Sequence, residues 1–306
     1  MAEESRSAVL AAMGANFAIA AGKLAAGLLT GSAAMLAEAG HSVADTVNQV
    51  FLLVGIRLSS SEADEAHPHG YGKEAFFWSF LAAIFIFVAG SAFSFFEGFR
   101  TLIQGDSHER SGGDLAIAFG VLGMAFLFES ISFVIAVRAL LASSRRLGWT
   151  VVRYIRRSPD LTTKTVFWED SGALLGLILA AAGIFLSEVT GDEQWDGIAS
   201  VGIGVLLAIV ALVLGLQARD LLIGAAAGPE TRAGIDATLA AFPEVERVSR
   251  VLTMQLGPHS VLVSGELRIR RGLSLAQAED LIERIDAHLS KTVPEVQDTF
   301  WEIKAG

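Results

Sequence analysis

Through residue 217 the apolar positions run in long blocks, and beyond it they give way to short alternating and helix-spaced patterns. Ala75 to Phe96 contains no charged residue, nor does Ile198 to Gln217, and Leu115 to Val137 contains one, Glu129. A run of about 18–20 apolar residues is long enough to cross a hydrocarbon core as a helix. One such run also suits a buried soluble helix. Several in series within 306 residues do not, because a globule of that size has no room for them. The pattern predicts six spans, at 8–29, 33–58, 76–100, 114–141, 163–187 and 195–217. The first two are the least apolar and carry Asn16, Lys23, Glu38, His41, Asp45 and Asn48. Such groups are costly against lipid, so these spans are expected to face other helices or water.

After Leu222 the texture changes. Gly224 to Gly228 is small and flexible, and Pro229-Glu230 opens a tail with soluble character. Glu230 to Ala241 reads as an amphipathic helix and Val248 to Gln255 as a strand. Val261 to Arg270 alternates, with Val261, Val263, Leu267 and Ile269 on one face and Ser264, Glu266, Arg268 and Arg270 on the other. Gly257-Pro258 marks the turn between the two strands. Ser274 to Ser290 is a second helix, with Ser274 and Gln277 spaced as a capping box, and Val296 to Ile303 a third strand. The expected fold is an all-α bundle of six transmembrane helices (1–222) followed by a small cytoplasmic α+β domain (223–306) of order αββαβ, ferredoxin-like. About 80 residues is marginal for an independent domain, so the tail is expected to pair with a second copy in a homodimer.

Composition agrees with a membrane protein. The chain is 52% hydrophobic and 18% charged, against about 25% charged in soluble domains, and its mean hydropathy is +0.52. Glu3 and Glu4 precede the first apolar stretch with no basic segment, which does not read as a secretory signal. The net charge of −10 disfavours a nucleic-acid partner. Ser143 to Ser158 holds Arg145, Arg146, Arg153, Arg156 and Arg157 without an acid. The 188–196 loop holds Glu188, Asp192, Glu193 and Asp196 without a base, and the 101–113 loop has Asp106 and Glu109 against Arg110. Positive loops stay in the cytoplasm. The 143–158 loop and both termini are therefore expected there, in a multi-pass protein of a bacterial-type inner or plasma membrane.

Candidate chemistry sits inside the spans. His41 and Asp45 are four apart, on one helix face, with Glu38 one turn before. An intramembrane ionisable residue costs at least about 2.5 kcal/mol. It therefore has a partner, a pathway or a ligand. Alone, the pair reads equally as a hydrogen bond tying helices together. The fifth span opens with Phe167-Trp168-Glu169-Asp170-Ser171-Gly172. Two adjacent carboxylates in an apolar stretch are hard to explain as packing, since like charges oppose each other unless a cation intervenes. If the fifth span packs on the second, Asp170 joins His41 and Asp45 around one ion. With no cysteine in the chain, a metal must be held by nitrogen and oxygen donors. Zn²⁺ takes such ligands, usually four in a tetrahedron.

These features resemble the cation diffusion facilitators, the zinc transporter family. The His41-x-x-x-Asp45 pair, the acid early in span five, the six spans and the αββαβ tail all match. The loop Asp64-Glu65-Ala66-His67-Pro68-His69-Gly70-Tyr71-Gly72-Lys73 is more specific, and Asp196-Gly197-Ile198-Ala199-Ser200 resembles the family's opening of span six. The resemblance implies a homodimeric metal/proton antiporter working by alternating access and exporting metal from the cytoplasm. It carries no permanent cofactor, and Zn²⁺ is the transported substrate. One position departs from the family: span five usually supplies a histidine four residues before its Asp, where this chain has Val166. Glu169 is the obvious substitute, and a site without it is the alternative. A branch with mitochondrial-type zinc carriers has a similar Glu-Asp pair and Gly-Tyr-Gly-Lys loop. A donor set of one nitrogen and several oxygens is harder, which keeps Fe²⁺ and Mn²⁺ in view beside Zn²⁺ and Cd²⁺. Asp64, His67 and His69 form a candidate second site in the cytoplasmic loop, against a plain solvated connector. Tyr71 stands where a further histidine is often found.

Other classes fit less well. An enzyme could use a His-x-x-x-Asp pair as base and orienting acid, but no nucleophile or phosphate-cradling loop accompanies it. A membrane-bound metal sensor suits the tail but not a buried site between helices. A channel would show voltage-driven, non-saturating flux.

Overall fold

The computed structural model describes residues 2–104, 112–158 and 160–305. Helices α1 (Ala2–Thr30), α2 (Ala33–Ser59), α3 (Glu74–Gln104), α4 (Gly112–Arg146), a short α5 (Val151–Arg157), α6 (Leu161–Thr190) and α7 (Gln194–Ile223) come first. The tail follows as α8 (Pro229–Ala240), β1 (Val245–Gly257), β2 (Ser260–Ile269), α9 (Leu275–Thr292) and β3 (Val296–Ala305). Four helices, α3, α4, α6 and α7, are long and apolar enough to cross a membrane by length and composition. Helix α2 is of comparable length but carries Glu38, His41 and Asp45. In α1 the apolar stretch is the shorter Asn16–Thr30. The acidic loop expected from Asp106, Glu109 and Arg110 lies outside the described residues.

The chain divides into two compact units. The first contains Met1–Val54, Trp78–Ile155 and Leu161–Gln217. Its apolar core draws small side chains from five helices: Ala26 of α1, Ala34 and Ala37 of α2, Ala118 of α4, Ala180 of α6 and Ala199 of α7. Small residues let helix backbones approach closely where no water is available to drive them together. A second patch joins Ala44 of α2, Ala83 and Ile86 of α3 and Leu214 of α7. Helix α3 is not uniform, because Ile86–Ala92 winds as a π-helix, a feature the hydropathy pattern does not announce. Near its end Glu97 and Arg100 pair at i,i+3, with Arg100 Nη2 3.0 Å from Glu97 Oε2. The basic connection contains α5, also unforeseen, with the Arg153 guanidinium 5.0 Å above the Trp149 ring.

The second unit gathers Gly55–Phe77, Arg156–Asp160 and Ala218–Gly306. Its sheet has the order β1-β2-β3, with β1 and β2 antiparallel and β2 and β3 parallel. The β2–α9–β3 crossover explains the parallel pair, since parallel strands need a long connection. Ile235 and Leu239 of α8 and Leu281, Ile285 and Leu289 of α9 bury against Val251, Val263 and Leu267, so both helices cover one sheet face. The Ser274 capping box is formed: Ser274 Oγ accepts from the Gln277 N–H, and the Ser274 N–H donates to Gln277 Oε1. On the other face Leu252, Ser264 and Phe300 are neighbours across the three strands, and Leu252 and Phe300 stay exposed. His259 lies exposed in the β1–β2 turn. His288 sits exposed on α9, its ring edge-on to Phe242.

Candidate metal site

His41 and Asp45 project from the same face of α2, with Nε2 3.5 Å from Asp45 Oδ2. His41 is buried, and neither ring nitrogen has a hydrogen-bond partner among the described residues; Asp45 Oδ1 also has none. Both groups therefore hold uncommitted lone pairs, and a buried polar atom without a partner is costly. A cavity of about 280 Å³ opens beside them, lined by Asp45, Ser42 and Gln49 of α2, Asn16 of α1, Glu129 and Ser132 of α4, and Glu169 and Asp170 of α6. Asp170 Oδ2 accepts a 2.9 Å hydrogen bond from Ser132 Oγ, and Glu169 Oε1 is buried with no partner among the described residues.

Helix geometry explains the convergence. Glu169 and Asp170 point about 100° apart, yet both reach the cavity because it extends between α2 and α4 in front of α6. Four carboxylates thus ring one cavity, with a histidine directly behind one of them. Among the described residues no three His, Asp or Glu side chains converge tightly enough to hold a metal ion together. The arrangement is an open ring of acceptors, and an ion that neutralised their mutual repulsion would draw them inward.

Two groups near this region have roles the residue pattern left open. Glu129 stands in the cavity wall. Its signal was in plain sight, as the single charge in the stretch 115–137. Lys23 and Glu38 form a fully buried ion pair of 2.9 Å between α1 and α2.

The loop trio is arranged in two pairs. Asp64 Oδ1 accepts from the His67 N–H at 2.7 Å, and its Oδ2 accepts from the Tyr71 hydroxyl at 2.7 Å. The His67 ring lies over Tyr71, with Nδ1 3.6 Å from Asp64 Oδ1. His69 turns elsewhere and pairs through Nδ1 with Asp298 Oδ2 of β3 at 2.7 Å. Tyr71, in the place of a metal-binding histidine, thus acts as a hydrogen-bond donor to Asp64. That hydroxyl, followed by the His67 N–H, holds the Asp64 carboxyl below the usual carboxylate range. These bonds favour the ionised form, so they order the loop at neutral pH and are lost as the pH falls through the lowered pKa. In Tyr71→Phe the Asp64 pKa should rise toward its ordinary value, read by carboxyl NMR titration; an unmoved titration would contradict this assignment.

Residues 9–223 match the profile of the cation efflux transmembrane domain. The mitochondrial proton-coupled zinc antiporter SLC30A9 of Xenopus laevis is 32% identical over 245 residues, 80% of this chain and 43% of that protein. Metal tolerance protein C4 of Arabidopsis thaliana is 34% identical over 224 residues, 73% of this chain and 48% of that protein. The manganese efflux system protein MneP of Bacillus subtilis (strain 168) is 24% identical over 302 residues, 96% of this chain and 94% of that protein. The chain spans less than half the length of the first two of these relatives.

Proposed function

The chain belongs to the cation efflux, or cation diffusion facilitator, family, and from that premise we propose that it carries a divalent transition metal, Zn²⁺ first, across a membrane in exchange for protons. The observation that carries this reading is the cavity inside the helical unit, walled by Asp45, Glu129, Glu169 and Asp170 and backed by His41. His41, Asp45 and Asp170 are the proposed ligands, with Glu169 replacing the histidine the family more often has. Carboxylates and imidazole must be deprotonated to bind metal, so protons are natural competitors for release. In this reading α1 and α2 join the four apolar helices as spans, because their polar faces are turned to the site and not to lipid.

The cavity lies toward the ends of α1, α2, α4 and α6 that adjoin the N-terminus, the α2–α3 loop and the arginine-rich connection. By the positive-inside rule that end is cytoplasmic, which gives export. The exposed Leu252 and Phe300 side chains support a homodimer formed through the C-terminal domain, together with contacts between membrane helices.

A second reading, Mn²⁺ as cargo, is favoured by the oxygen-rich donor set. The manganese efflux relative also aligns over nearly the whole chain. Reconstituted vesicles test both. Saturable Zn²⁺ flux, accelerated by an opposing proton gradient and exceeding that of Mn²⁺, Fe²⁺ and Cd²⁺, is expected. Flux indifferent to the proton gradient would remove antiport; metal binding without flux would leave a membrane-bound sensor.

A further inference from the structure

The two ends of the helical unit differ. On the side of the α2–α3 loop lies the cavity. On the other side of His41 and Asp45 the side chains of Lys23, Ser32, Glu38 and Asp196 are fully buried. Lys23 and Glu38 meet there, both fully buried. Glu38 precedes His41 by three residues and Asp45 by seven, about 4.5 and 10 Å along α2 at the helical rise. Gly176 follows Asp170 by six residues, about 9 Å along α6, and is the residue against which Glu38 rests. A Cβ at 176 would collide with Glu38 Oε1, so a side chain there would displace the carboxylate. That oxygen is buried and accepts no hydrogen bond among the described residues.

A second tie closes the same end. Ser32 Oγ donates to Asp196 Oδ1 at 2.8 Å, and the Ala33 N–H donates to Asp196 Oδ2 at 2.7 Å, fastening the α1–α2 turn to the start of α7. Gly183 of α6 packs so closely on α7 that a Cβ there would collide with that of Ala199. An ion held at Asp45 and Asp170 therefore has an open route on one side. On the other it meets first the Lys23–Glu38 pair and then the Asp196 tie.

We propose that the Lys23–Glu38 ion pair, seated against Gly176, is the gate that closes the metal site from the side opposite the α2–α3 loop, and that it parts to let the ion leave. The proposal rests on the transport reading. Its chemistry suits a gate: an ion pair between neighbouring helices has two discrete arrangements, joined and parted. Glu38 also carries a free oxygen toward which a departing cation would be drawn as the lysine withdraws.

The chain has no cysteine, so single reporters can be placed without background. Ser42, one turn from Glu38 on the side of the cavity and buried, is such a position. Ser42→Cys protein in vesicles would be treated with a membrane-impermeant maleimide from the side opposite the α2–α3 loop. Adding Lys23→Met and Glu38→Met together should speed labelling by about tenfold or more, the shift expected when a two-state equilibrium loses about 1.4 kcal/mol of bias. Gly176→Ala, which displaces the carboxylate and keeps both charges, should act in the same direction. Labelling unchanged in the double variant, with that protein monodisperse, would overturn the proposal. Zn²⁺ flux by the unsubstituted chain is measured in parallel. If it carries no metal the transport reading falls, while the labelling still reports whether the pair seals this end.

Discussion

Asp45→Ala should lower saturable Zn²⁺ flux into vesicles by about 100-fold or more, at or beyond the upper end of what loss of an outer-shell partner costs a metal site. The fold should tolerate the change. Among the described residues Asp45 has one ion-pair contact, at 3.5 Å to His41, and its Oδ1 has no hydrogen-bond partner. Removing it therefore breaks no strong structural bond. It also leaves no new unpaired donor, the usual reason that truncating a buried polar group destabilises. Asp170→Ala should reduce flux comparably but frees the Ser132 hydroxyl, so a small loss of thermal stability accompanies it. Glu129→Gln and Glu169→Gln rank the remaining wall carboxylates, since each keeps its shape and gives up its charge. Isothermal titration with Zn²⁺ beside the flux assay separates lost binding from lost movement. Transport by Asp45→Ala at the parent rate would remove it from the site and with it the proposed role of the α2 pair.

Much of this architecture was legible in the residues, for physical reasons that differ from element to element. The C-terminal strands showed through the alternation at Val261, Val263, Leu267 and Ile269, because one sheet face is covered by helices and the other is not. The capping box at Ser274 and Gln277 showed because a helix N-terminus has few chemical ways to satisfy its free N–H groups. His41, Asp45, Glu169 and Asp170 stood out because charge inside an apolar block is expensive. Three things were not legible. The π-helical turn at Ile86–Ala92 sits in a sequence that looks like ordinary apolar helix. The split of the loop trio depends on Asp298, more than two hundred residues from His69 and brought near it only by β3. The Lys23–Glu38 pair depends on which helix faces which, and the pattern along one helix does not name its neighbour.

The largest stability effect is expected at that same pair. Glu38→Ala removes the carboxylate that the fully buried Lys23 ammonium contacts at 2.9 Å. Breaking a buried pair by removing one partner costs about 3–5 kcal/mol, a large share of the roughly 5–15 kcal/mol that holds a typical domain. In detergent this should lower the unfolding midpoint by about 10 °C. The joint substitution Lys23→Met and Glu38→Met should recover most of that loss. Replacing both partners by apolar groups of similar size is often neutral or stabilising, because it also abolishes the desolvation of two charges. Thermal unfolding of the single and double variants, compared in one detergent, decides the matter. Equal destabilisation in both would mean that the interior at 23 and 38 is selected for shape, and that the charges there are incidental. Recovery in the double variant would mean that the pair is not required for the fold. An ionic contact that the fold does not require, set one turn beyond His41, is then retained for what it does while an ion passes.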